Sequence, residues 1–156
     1  MTRSTNNTPA CFSCLRPEDV RTGLSAADKY TAIRMAGDQL VARGCVEASY
    51  IDAMLAREEV VTTYIGEGVA IPHGVGSAKQ FIQKTGLAVL QFPEGVPFGD
   101  EKAYLVVGIA GLEEEHLPIL QALATIMLDE DRIEAIKHST DAAFIYESLI
   151  NGGFEE

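Results

Sequence analysis

The sequence has no long apolar run and no apolar segment near its start, and both absences exclude classes of protein. A membrane-spanning helix needs about eighteen or more consecutive apolar residues, and the chain contains no such stretch. The first residues, MTRSTNNTP, also lack the apolar segment of a secretory signal peptide. We therefore expect a cytoplasmic protein with no direct membrane insertion.

Basic residues are scarce as well. The chain has 12 lysines and arginines against 23 acidic residues, which gives a formal net charge of −11. Proteins that bind nucleic acid or anionic lipid neutralise phosphates with clustered cations, so we expect neither partner. An acidic surface permits a basic protein partner, although it also serves simply to keep a protein in solution.

Cysteines are few and odd in number: Cys11, Cys14 and Cys45. An odd count is typical of a reducing compartment. Cys11 and Cys14 have CxxC spacing, but no second pair supplies the four ligands of a structural zinc site. A thioredoxin-type motif would need a strand before it and a helix after it. We therefore predict neither a metal nor a redox role for this pair.

The sequence does contain enough apolar residues for the core of one domain. The 156 residues are 47% hydrophobic, which is enough for one core. Residues 1–14 are rich in Thr, Asn and Ser and are predicted to form a disordered tail. Residues 15–156 are predicted to form the folded domain.

Helical periodicity and capping residues predict five helices. The first has Ser25 as N-cap, Asp28 three residues later as in a capping box, and Gly44 just past its end. The second spans about 47–57 and closes with Arg57. The third opens at 113–116 with Pro118 in its first turn, and its predicted buried stripe is Leu117, Leu120, Leu123, Ala124 and Met127. The last two helices cover about 131–137 and 140–150.

Apolar runs predict the strands. One short run, 69–71, is stopped by Pro72, and a lead-in at 60–63 is a further short strand candidate. A longer run, 86–92, is followed by a turn at 93–95, and 103–110 is apolar at every position. Such a run indicates burial on both faces. The connection after 92 is too short for a crossover helix, so the two long strands should pair antiparallel if they are neighbours in the sheet. The fold class is therefore α/β, an α/β/α layered single domain.

His73 is the first candidate functional residue. It lies between Pro72 and Gly74 where a strand ends, so its ring would be held on a rigid element while facing the surface. A neutral imidazole is a nucleophile near neutral pH. A histidine in a Pro-Gly turn is also commonly a solvated loop residue, and the residues alone leave both readings open.

A resemblance to a known family favours the reactive histidine. The segment YIGEGVAIPHG (64–74) resembles the phosphorylation-site motif of the mannitol/fructose class of enzyme IIA, a phosphocarrier of the bacterial phosphoenolpyruvate-dependent sugar phosphotransferase system. The similarity continues in KTGLAVLQFPEGVPFG (84–99), LVVGIAG (105–111), EHLPIL (115–120) and YIDAMLARE (50–58). It covers roughly residues 16–150 in order, and the mannitol branch is the most similar. This class has a mixed β-sheet flanked by helices.

The resemblance implies a role for three residues. His73 would accept the phosphoryl group on Nε2, with its other ring nitrogen fixed by a backbone carbonyl. His116 would be the second site histidine, donating to the phosphoryl group, and Arg57 would pair with it. Each of the last two also has a purely structural explanation, His116 as a helix-start residue and Arg57 as a cation at a helix C-terminus. Glu114 departs from the family's Asn-Glu-His pattern, and an added carboxylate would raise the pKa of His116 or repel a phosphate.

The implied function is phosphoryl transfer without a metal or cofactor. HPr would phosphorylate His73, and a cysteine of enzyme IIB would receive the group in sugar uptake, with mannitol as the expected sugar. Because the sequence contains no IIB or membrane segment, we expect the chain to act as a separate subunit.

Two other functions stay open at this point. Relatives in a nitrogen-related branch use the same phosphohistidine as a regulatory signal. A metal-dependent hydrolase built on His73, His116 and Glu115 has the required ligand types, although their spacing does not indicate it.

Overall fold

The computed structural model describes residues 14–152, without the side chain of Glu113. The elements in chain order are five strands, five α-helices and two 3-10 helices: Pro17–Asp19 (3-10), β1 Val20–Arg21, α1 Lys29–Ala42, α2 Ser49–Val60, β2 Tyr64–Gly66, β3 Val69–Ala70, Gly76–Phe81 (3-10), β4 Gly86–Phe98, β5 Glu101–Ala110, α3 Glu113–Met127, α4 Glu130–His138 and α5 Ala142–Gly152.

The strands form one mixed sheet in the order β1-β4-β5-β3-β2. β4 and β5 pair antiparallel, as predicted from their short connection, with Leu87 opposite Ile109. β1 runs parallel to β4 and β3 runs parallel to β5, whereas β2 is antiparallel to β3. The carboxyl ends of β3 and β5 therefore meet at one edge of the sheet.

Helices cover both faces of this sheet. Alternate residues of β4 point to opposite sides, so that Leu87 and Val89 join a core with α3, α4 and α5, while Ala88 and Leu90 join a second core with α1 and α2. This is the physical reason for strands that are apolar at every position. The predicted α/β/α layered fold is confirmed.

Several element boundaries differ from the sequence-based prediction. Asp28, not Ser25, caps α1, because its carboxylate accepts a hydrogen bond from the Thr31 amide at 2.8 Å. Residues 61–63 form no strand, and β2 begins one residue later. α5 begins at Ala142, and the Asp141 carboxylate receives its first amide hydrogen bonds.

The predicted turn at 93–95 is wrong. These residues form a bulge inside β4, where the register with β5 shifts between Gln91 and Val96. Gly95 adopts φ +81° there, and the chain reverses only after Phe98, where Gly99 has φ +70°. The Pro-Glu-Gly signal was misleading because a bulge and a turn both need a residue with positive φ.

The buried stripe of α3 was also predicted only in part. Leu123 is buried, but its buried companions are Ile119, Ala122 and Ile126, while Leu117 is 59% exposed. Of the predicted tail, only Cys14 belongs to the described residues, and it packs against the core on the α3 side. Cys11 lies outside them. Among residues 14–152, no helix is both long and apolar enough to cross a membrane.

Candidate functional site

The two candidate histidines meet at the edge where β3 and β5 end. Past Pro72 the chain remains parallel to β5, with the Ile109 amide donating to the Pro72 carbonyl at 2.9 Å and His73 bridged to Ile109. His116 lies in the first turn of α3, shortly after β5. The centroids of the two imidazole rings are 5.2 Å apart and the ring planes are tilted by 54°.

The tautomer of His73 is fixed by a backbone carbonyl. Nδ1 lies 2.7 Å from the Ile71 carbonyl oxygen, which can only accept, so Nδ1 carries the proton. Nε2 makes no hydrogen bond within residues 14–152 and is not sealed from solvent. It is thus the nitrogen whose lone pair is available.

His73 is more enclosed than the sequence predicted. Its exposed fraction is 8%, so the expectation of a ring facing the surface is wrong for most of the side chain. Desolvation by burial is the main cause that lowers the pKa of His73, and the positive charges of Arg57 and Lys79 lower it further, against the Ile71 hydrogen bond, which raises it. These effects keep the imidazole neutral near neutral pH, which a nucleophile requires.

Tyr50 of α2 supports the histidine segment, residues 71–74, by hydrogen bonds. Its side chain is fully buried, and its hydroxyl donates to the Ile109 carbonyl at 2.8 Å while accepting from the Gly74 amide at 2.9 Å. Burial raises the pKa of Tyr50 to about 12, so the hydroxyl keeps its proton. The sequence analysis assigned no role to Tyr50, because periodicity does not reveal what a buried hydroxyl binds.

His116 is held by close contact with Gly111. A Cβ at Gly111 would lie 2.8 Å from His116 Nδ1 and 2.9 Å from the His116 Cα, so only glycine fits. Nδ1 is buried and has no hydrogen-bond partner within the described residues. Leaving an N–H buried without an acceptor is costly, so we infer that the proton resides on Nε2, which would make that nitrogen a donor.

The rise in the pKa of His116 that the sequence allowed is not found. Burial lowers the pKa of His116 to about 4, with Lys79 and His73 as further causes, and no carboxylate raises it. The Glu115 carboxylate instead accepts a short hydrogen bond from the Thr85 hydroxyl, which in turn accepts from the Leu112 amide at 3.0 Å. Thr85 therefore fixes the start of α3, and with it the position of His116.

Arg57 lies in the last turn of α2, three residues before the helix ends. Its Nη1 donates to the Val61 carbonyl at 2.6 Å. Its charge acts on His73, yet the guanidinium makes no direct hydrogen bond to the histidine. It lines an apolar groove together with Val60, Val61 and Val75.

Glu58 fastens the chain between Arg57 and the histidine segment. This carboxylate is buried and accepts hydrogen bonds from the Thr63 amide and hydroxyl at 2.8 and 2.6 Å. The Thr63 carbonyl accepts from the Ile71 amide at 3.0 Å. A continuous path of hydrogen bonds thus runs from Glu58 to the carbonyl that orients His73.

Lys79 is a site residue that the sequence analysis missed. It lies in the 3-10 helix after the histidine segment and donates from Nζ to the Gly111 carbonyl at 3.2 Å. The one feature of the sequence that could have indicated it is its position, six residues after His73, as a basic residue in a strongly acidic chain.

Metal-binding geometry is not found in the described part of the chain. No group of three or more His, Cys, Asp or Glu side chains there is arranged to hold an ion. Glu115, the third ligand of the hydrolase hypothesis, accepts a hydrogen bond from the Thr85 hydroxyl. The arrangement therefore favours a nucleophilic imidazole with neighbouring donors over a metal centre.

Comparison with known proteins places this chain in a family. A family model described as "Phosphoenolpyruvate-dependent sugar phosphotransferase system, EIIA 2" matches residues 13–152. The mannitol-specific phosphotransferase enzyme IIA component of Geobacillus stearothermophilus is 41% identical over 139 residues, which cover 88% of this chain and 94% of that protein.

Two further relatives come from Escherichia coli. The mannitol-specific EIICBA component of strain K12 is 44% identical over 138 residues, 86% of this chain, but the match spans only 22% of that protein's length. The solved complex of enzyme IIA-Mtl with phosphorylated enzyme IIB-Mtl contains a chain that is 42% identical, with a TM-score of 0.82 and coverage of 88% of this chain and 99% of that one. The resemblance read from the sequence is confirmed: the chain belongs to the EIIA 2 family of the phosphoenolpyruvate-dependent sugar phosphotransferase system.

Proposed function

We propose that the protein is a cytoplasmic phosphocarrier that takes a phosphoryl group from phospho-HPr on His73 and passes it to a cysteine of an enzyme IIB in mannitol uptake. The observation that carries this proposal is the 2.7 Å contact between His73 Nδ1 and the Ile71 carbonyl. It leaves Nε2 as the free nucleophile at the edge of the sheet, beside a second imidazole.

The chemistry is a transfer between two nucleophiles. The Nε2 lone pair attacks phosphorus, a new P–N bond forms, and the donor's P–N bond breaks with its electron pair returning to the HPr ring. The proton stays on Nδ1 throughout, hydrogen-bonded to the Ile71 carbonyl. In the second step the IIB thiolate attacks phosphorus, and the electron pair of the P–N bond returns to Nε2, which restores neutral His73.

His116 and Arg57 would stabilise the phosphoryl oxygens. We infer that Nε2 of neutral His116 donates a hydrogen bond to one oxygen, consistent with its lowered pKa of about 4. Arg57 has donors beyond the one that binds Val61, and a guanidinium is suited to phosphate geometry. Phosphoryl transfer depends mainly on such positioning and charge stabilisation.

The assignment of mannitol and of a IIB partner is supported by the relatives. The three proteins compared above carry mannitol-specific names, and one was solved as a complex with phosphorylated IIB. The chain spans about a fifth of the EIICBA relatives, so their other activities are not inferred for it.

The surface around the site is suited to protein partners. Five large apolar side chains are at least 40% exposed near Arg57, His73 and His116: Val60, Val61, Val75, Leu112 and Leu117. Exposed apolar residues around a reactive group are typical of a docking surface.

Transfer to IIB tests the proposal. Protein phosphorylated with ³²P is mixed with a mannitol IIB, with its active-site Cys→Ser variant, or with a fructose IIB. We expect label on the mannitol IIB, none on the Cys→Ser variant and slower transfer to the fructose IIB. A phosphorylated protein that donates to no IIB would contradict the transport role and favour the regulatory function.

A further inference from the structure

Lys79 is a cation beside the site that no carboxylate of the described residues neutralises. It is half-buried, and within residues 14–152 it forms no ion pair with a carboxylate. Its only hydrogen bond there is the 3.2 Å contact from Nζ to the Gly111 carbonyl. An ammonium group has three donors, so two remain unused at a partly desolvated position.

That contact holds the ammonium group beside the imidazole pair. Gly111 lies directly against His116, since a Cβ there would be 2.8 Å from Nδ1. The His116 ring in turn faces the His73 ring at 5.2 Å. Lys79 is therefore fixed on the His116 side of the site, while Arg57 is hydrogen-bonded to the Val61 carbonyl at the end of α2.

Deepening the function proposed above, on which it rests, we propose that Lys79 is a phosphoryl-binding residue that contacts an oxygen of the group carried by His73. Arg57 and Lys79 would then supply two positive charges to a phosphoryl group of about two negative charges. The nearby carboxylate of Glu115 is turned to Thr85 and does not compensate either cation.

The electrostatics of the unphosphorylated site agree with this placement. Among neighbouring charges, Lys79 is the first cause that lowers the pKa of His116, and it also lowers the pKa of His73 after Arg57. A positive charge near both rings disfavours imidazolium and favours a bound anion. The same charge therefore keeps both rings neutral before transfer and attracts the phosphoryl group.

A purely structural role is the alternative, in which Lys79 only ties its 3-10 helix to Gly111. Three variants separate the two: Lys79→Met, Lys79→Arg, and Lys84→Met as a matched control. Lys84 is exposed and lies near Cys45 on the same connection. Lys84→Met therefore removes the same charge at a position away from the histidines.

The experiment measures phosphorylation by phospho-HPr and, separately, by phosphoramidate, which needs no docking surface. We expect Lys79→Met to slow both reactions about 10- to 150-fold, which is the loss of one charge-assisted hydrogen bond of about 1.5–3 kcal/mol. Lys79→Arg should recover part of the rate, and Lys84→Met should match the wild type. On phosphorylated samples, ³¹P NMR should show a higher phosphate pKa in Lys79→Met, because a nearby cation has been removed.

Several results would overturn the inference. The first is a Lys79→Met protein that is phosphorylated at wild-type rates. The second is a Lys79→Met protein whose phosphorylation is slower with phospho-HPr but not with phosphoramidate, which would make Lys79 a docking residue. The third is slower phosphorylation by both donors with an unchanged phosphate pKa, which would make the role of Lys79 structural. If the wild-type protein accepts no phosphoryl group from either donor, the proposed function itself fails, and this outcome is distinct from the others.

Discussion

The Tyr50 hydroxyl offers a direct test of how the histidine segment is held. In Tyr50→Phe the ring stays in the core, but the Ile109 carbonyl loses a donor at 2.8 Å and the Gly74 amide loses an acceptor at 2.9 Å. Tyr50 has no exposed surface, so both groups are buried where the hydroxyl is removed. The substitution therefore removes two hydrogen bonds without opening a large cavity.

The expected cost follows from those two groups. A buried polar group left unsatisfied costs about 1–3 kcal/mol, and partial relaxation of the turn gives a total of about 2 kcal/mol. For a chain of this length each kcal/mol lowers Tm by about 2–4 °C, so Tm should fall by about 4–8 °C. Phosphorylation of His73 should also slow, by about tenfold, because the Gly74 amide no longer fixes the residue next to it.

Thermal unfolding followed by circular dichroism measures the first effect, and the initial rate of phosphoryl uptake measures the second. Tyr146→Phe is the control, since Tyr146 is half-buried and its hydroxyl makes no hydrogen bond within residues 14–152. It should change Tm by about 1 °C or less. A Tyr50→Phe protein with the Tm and rate of the control would refute the bracing role.

Two further predictions concern His116. Gly111→Ala places a Cβ 2.8 Å from His116 Nδ1 and 2.9 Å from the His116 Cα. The variant should be less stable by about 1–3 kcal/mol in urea unfolding, and its phosphoryl transfer should be slower. Unchanged stability would contradict the close packing. Since the pKa of His116 is about 4 when folded and about 6.5 when unfolded, the unfolded chain binds the extra proton, and stability falls as pH drops from about 6.5 to about 4. His116→Gln should flatten that part of the stability curve, and parallel curves for both proteins would refute the depressed pKa.

Local sequence patterns were sufficient for much of the architecture. The unbroken apolar stretch at 103–110 predicted a strand buried on both faces, and the core packing on each side of β5 has that cause. The short connection between β4 and β5 predicted their antiparallel pairing. That His116 would lie in the same site as His73 was implied by the resemblance to enzyme IIA, and the two rings are neighbours.

Other features depend on contacts between distant parts of the chain. β1 is only two residues long and exists because it pairs with Val89 and Leu90. The roles of Tyr50 and Thr85 come from hydroxyls that reach residues 59 and 27 positions away. The enclosure of His73 and the orientation of Glu115 away from the site likewise follow from tertiary packing, which periodicity does not encode.

The central claim is that His73 Nε2 carries the phosphoryl group, and intact mass tests it most directly. The protein is incubated with enzyme I, HPr and phosphoenolpyruvate and then measured at alkaline pH, where phosphohistidine survives. We predict a gain of one phosphoryl group in the wild type and none in a folded His73→Ala variant. No gain in the wild type, or an undiminished gain in His73→Ala, would contradict the account.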